Sequence, residues 1–99
     1  MNRDEFIANI KSMAHVATID EVKAYWDKKV QTEADKWGPN DFWTKQAKGR
    51  REQALKDFQE GKPVEFYEEW THFGYGFYGE DLIAHLYSDG THEISSYGT

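Results

Sequence analysis

The chain has 99 residues, of which 38% are hydrophobic, 16% aromatic and 30% charged, with a net charge of −6 and no cysteine. That length suits one domain, residues 1–99, with a small core built from a few large rings. The absence of cysteine excludes a disulfide scaffold, a thiol nucleophile and a cysteine-ligated zinc site, and the absence of a long apolar run or an apolar N-terminal stretch points to a cytoplasmic protein with no membrane contact.

Asn2 to about Ala14 has helical spacing, with Phe6, Ile7, Ile10, Met13 and Ala14 on one face. Asn2 is placed to cap it, and Asp4 and Glu5 suit the positive end of the helix dipole. Thr18-Ile19-Asp20-Glu21 is a capping box that opens a second helix. Its apolar stripe runs through Ile19, Val22, Tyr25/Trp26, Val30, Ala34 and Trp37 to a stop at Gly38-Pro39. Asn40 or Asp41 caps a third helix that reaches about Glu60 and ends at Gly61. Gly49 in its middle costs about 1 kcal/mol against alanine and marks a close approach, a bend, or a break into two pieces.

From Lys62-Pro63 onward the period changes to two. Val64, Phe66, Glu68 and Trp70 alternate with Glu65, Tyr67, Glu69 and Thr71, which reads as a strand with Glu68 discordant on an otherwise apolar face; a short helix from Pro63 to Trp70 is the competing reading. Phe73-Gly74-Tyr75-Gly76-Phe77-Tyr78-Gly79 reads as a turn or an irregular strand. Leu82–Tyr87 and Thr91–Tyr97 are the arms of a hairpin. A three-residue Ser88-Asp89-Gly90 loop is preferred over a two-residue one, because it puts Leu82, Ala84, Leu86 and Ile94 on one face and Ile83, His85, Tyr87, Glu93 and Tyr97 on the other. The predicted fold is α+β: about three N-terminal helices (1–61) packed on a small C-terminal three-stranded antiparallel meander (62–99).

The charge is unevenly placed. Residues 1–61 hold eleven Lys/Arg and eleven Asp/Glu, whereas residues 62–99 hold one lysine and seven acids. An acidic, ring-rich segment disfavours nucleic acid and suits a larger protein with a basic surface. The expected contact residues are Glu68, Glu69, Tyr75, Phe77, Tyr78, Glu80 and Asp81. The expected function is a non-enzymatic binding module, of the kind that small acidic inhibitors, immunity proteins and phage-encoded modulators represent. The alternative is a nucleic-acid-associated protein using the basic helix face Lys45, Lys48, Arg50 and Arg51, which also reads as an ordinary solvated face. The last strand leaves a sheet edge on which a homodimer could form.

Catalytic and cofactor readings are weak. Glu68-Glu69 and Glu80-Asp81 are neighbours on strands and point to opposite faces, so neither makes a dyad. Ser88, Ser95 and Ser96 have no nucleophile-elbow pattern, and the glycines near 74–79 match no phosphate loop. His72, His85 and His92 could join Glu93, Asp81 or Glu80 in a mixed metal site, but they follow no metal-ligand spacing, so no catalytic residue, metal or cofactor is expected.

Overall fold

In the computed structural model, which describes residues 1–98, three helices precede three strands: α1 (Arg3–Met13), α2 (Ile19–Trp37), α3 (Phe42–Gln59), β1 (Glu65–Tyr75), β2 (Tyr78–Tyr87) and β3 (His92–Gly98). The strands form one antiparallel sheet in the order β1-β2-β3. This is the α+β arrangement expected from the change of period after Pro63.

Local chemistry sets the helix ends. The Asn2 side chain accepts the Glu5 N–H at α1, and Thr18 and Glu21 complete the reciprocal capping box at α2. Asp41 caps α3 by accepting the Trp43 N–H at 3.0 Å. Gly49 neither breaks nor crowds α3: the helix is continuous, and a Cβ added there meets nothing within 4 Å.

The Ser88-Asp89-Gly90 loop pairs Ala84 with Ile94 and His85 with Glu93, the register that puts Ile94 on the same face as the buried Leu82, Ala84 and Leu86. Ser88 is buried and joins three segments. Its Oγ accepts the Val64 N–H at 2.9 Å, its N–H donates to the Val64 carbonyl at 2.8 Å, and its carbonyl accepts the Ala17 N–H at 3.0 Å. A hydroxyl this committed is structural.

Two expectations about β1 and β2 need correction. The glycine-rich stretch, expected as a turn or an irregular strand, contains a turn of only two residues and otherwise continues the ladder: β1 runs to Tyr75, Gly76-Phe77 turns, and β2 starts at Tyr78. Gly74 and Gly79 sit opposite each other with φ of 147° and 130°, and a Cβ on either would lie 2.1 Å from a backbone carbonyl oxygen across the pair. Only glycine allows this approach, and it lets the ladder continue.

The second correction concerns the face assignment of Val64, Phe66, Glu68 and Trp70. Glu65 pairs with Tyr87 but Tyr67 pairs with Leu86, so one extra residue is inserted on β1. A bulge of this kind shifts the alternation by one. Phe66 and Tyr67 both reach the core, and from Glu68 onward even-numbered side chains of β1 turn to the open face. The discordance of Glu68 has this cause.

The covered face carries Tyr67, Glu69, Phe73, Leu82, Ala84, Leu86 and Ile94. Phe6 of α1 packs edge-on against Phe73 at 5.8 Å. α2 and α3 pack along each other, and α2 meets the sheet at the beginning of β1. The radius of gyration is 15.3 Å, against about 13 Å for a compact chain of this length. Among the described residues no helix is long and apolar enough to cross a membrane.

Two substitutions test this packing in opposite directions. Ser88→Ala leaves the buried Val64 N–H without its acceptor and is expected to cost about 1–3 kcal/mol in urea unfolding. Gly49→Ala, in open space within a helix, is expected to add about 0.5–1 kcal/mol in the same measurement.

Candidate functional site

Where α2 meets β1 the bulge gathers an ionic cluster on the open face. Glu65 Oε1 contacts His85 Nδ1, and Glu65 Oε2 accepts the Tyr25 hydroxyl at 2.7 Å. Lys29 Nζ lies 3.2 Å from Glu68 Oε2 and 3.9 Å from Glu65 Oε2. Trp26 Nε1 donates to the Glu65 carbonyl at 3.0 Å. Tyr25, Trp26 and Lys29 come from a single turn of α2, and the Lys29 ammonium lies 4.9 Å from the Tyr25 ring centre, within cation–π range. Burial, reinforced by the Glu65 carboxylate, pushes the Tyr25 phenol far above its ordinary value, so it remains a hydrogen-bond donor.

Donor atoms of Glu65, Glu68 and His85 lie within 4.8 Å of one another, a spacing that could hold a metal ion. They face an open groove of about 1300 Å³ between the helix pair and the sheet, lined also by Tyr25, Trp26, Lys29, Trp43 and Arg50.

The expected contact residues do not form one patch. Tyr75, Phe77 and Tyr78 stand together at the β1–β2 tip, 91%, 93% and 78% exposed. Asp81 is next to them on the open face, 2.5 Å from His72 Nδ1, and Trp70, His72, Phe77, Asp81 and Tyr97 line a small cleft there. Glu68 shares that face, two cross-strand rows away, beside Lys29. Glu69 and Glu80 lie on the covered face. Glu69 accepts the Tyr67 hydroxyl at 2.7 Å; Glu80 accepts the Ser96 hydroxyl at 2.5 Å and Arg3 Nε at 2.6 Å. These two contacts hold the Glu80 carboxyl below its ordinary range. Burial and the Glu69 hydrogen bond push the Tyr67 phenol up to about 12.

The basic residues of α3 divide as well. Lys45 and Lys48 are exposed, Arg51 Nη1 is 3.2 Å from Asp27 Oδ1 on α2, and Arg50 lines the groove. His92 pairs with Leu86 and so sits on the face opposite His85. The sequence alone did not single out Glu65, Lys29 or Tyr25, and it set His85 beside Glu80, Asp81 or Glu93 and not beside Glu65 and Glu68; the misplaced carboxylate of Glu68 was the one sign of the bulge that unites them.

No protein-family model, no curated protein and no solved structure matches this chain.

Tyr25→Phe removes the donor to a half-buried carboxylate and is expected to cost about 1.5–3 kcal/mol in chemical unfolding. The lowered value of Glu80 gives a pH test: its contribution is full above pH 4.5 and is lost as pH falls through the lowered value. Glu80→Gln should therefore flatten the acid limb of stability below pH 4.5 without altering its slope near neutrality.

Proposed function

We propose that the protein is a non-enzymatic binding module that docks by its β1–β2 hairpin tip and the adjoining open face on a larger protein with a basic surface, and that it modulates that partner by covering part of it. The observation that carries this reading is the exposure of Tyr75, Phe77 and Tyr78, at 91%, 93% and 78%, on a glycine-pinned hairpin. A domain with so small a core gains stability from every ring it buries, so three rings held in water need another use. Large rings projecting from a rigid element are the groups that dominate protein–protein binding.

Charge supports a basic partner. The C-terminal segment, residues 62–99, contains one lysine and seven acids, and Asp81 lies beside the rings with Trp70 and Tyr97 around it. A partner with an apolar pocket rimmed by Lys or Arg matches both features, and long-range attraction would speed the encounter.

Immobilised protein incubated with lysate of the encoding organism tests the reading. Wild type is expected to retain a defined basic protein at low salt and release it near 0.5 M NaCl. The Tyr75→Ser/Phe77→Ser/Tyr78→Ser variant should lose it while keeping the wild-type melting temperature. Equal retention by the folded triple variant would place the docking surface elsewhere.

A further inference from the structure

We propose that Glu65, Glu68 and His85 form a binding site for a divalent transition-metal ion, Zn²⁺ being the first probe. The three residues converge only because of the bulge. In an unbroken strand Glu65 and Glu68, three residues apart, would point to opposite faces; the extra residue on β1 places both on the open face, and the ladder sets His85 directly across from Glu68.

The donor set has the right chemistry and size. Imidazole with two carboxylates suits zinc and its neighbours better than magnesium or calcium, which take oxygen ligands. Bonds of about 2.0–2.2 Å put ligands on one ion roughly 3–4 Å apart. The donor atoms lie within 4.8 Å, so a small inward turn closes the set, and exposed Glu68 has the freedom to make it. His85 would bind through Nδ1, the nitrogen already turned to Glu65.

The surroundings hold the two carboxylates from outside. Glu65 presents Oε1 to His85 while Tyr25 donates to Oε2 at 2.7 Å. Lys29 holds Glu68 Oε2 at 3.2 Å. Hydrogen-bond partners that hold a carboxylate by one oxygen and leave the other for the metal are what orient ligands around an ion. Lys29 carries one positive charge against two carboxylates, so a cation at the centre is electrostatically favoured. Three protein ligands leave further coordination positions open to the groove, as in sites that also take water or a small ligand.

The test uses the full chain stripped with chelator and titrated calorimetrically with Zn²⁺ and, separately, Mg²⁺. One Zn²⁺ per chain with a micromolar or tighter Kd is expected, with at least tenfold weaker Mg²⁺ binding. Glu68→Gln and His85→Gln should each weaken Zn²⁺ at least tenfold, whereas His72→Gln should not. Glu68 is exposed and its ion pair with Lys29 is a surface one, so its variant is expected to keep the fold, and circular dichroism checks this for both. Absence of Zn²⁺ binding, equal affinity for Mg²⁺, or unchanged affinity in folded Glu68→Gln would each overturn the proposal.

Discussion

The single extra residue between Glu65 and Tyr67 determines how this molecule is arranged. It lets two successive rings, Phe66 and Tyr67, serve the core, and it places two carboxylates on the opposite face. A regular strand could do only half of this, because each inward ring would cost an outward one. The bulge lies where α2 meets the start of β1 and Trp26 donates to the Glu65 carbonyl. Backbone distortion, helix docking and the ionic cluster are thus one local event.

The far end of the same hairpin uses glycine for a different purpose. Gly74 and Gly79 bring the strands too close for any side chain between them and carry Tyr75, Phe77 and Tyr78 outward on a tight turn. The open face therefore has two chemically distinct ends: a ring-rich tip near Asp81, and a polar junction at Glu65, Glu68 and His85. The acids of the C-terminal segment are shared between structure and surface. Glu80 fastens α1 through Arg3, and Glu65 and Glu68 fasten α2 through Lys29, so part of the segment's charge is neutralised by the helices packed against it.

Much of the fold was legible in the residues. The capping box at Thr18, the stop at Gly38-Pro39 and the Ser88-Asp89-Gly90 loop each rest on local chemistry, and local chemistry is what a sequence shows directly. The β3 register followed because the three-residue loop puts Ile94 on the same face as Leu82, Ala84 and Leu86, whereas the two-residue loop mixes the faces. The bulge was not legible, because the partners that meet it are non-local: Trp26, which donates to the Glu65 carbonyl, lies 39 positions earlier in the chain. Its only trace was an acid in an apolar position. The long β1–β2 ladder was hidden for a similar reason, since Gly74 and Gly79 are acceptable in strands only when they face each other. The grouping of the contact residues failed where side chains found partners on distant elements, as Glu80 did with Arg3.

Solution NMR of the uniformly labelled protein tests the central claim most directly, through cross-strand contacts between β1 and β2. The bulged register predicts that Tyr67 lies across from Leu86 and Glu68 across from His85, with Glu65 still opposite Tyr87. Contacts pairing Phe66 with Leu86 and Tyr67 with His85 would mean an unbroken strand, with Glu68 on the covered face and no shared cluster with Glu65.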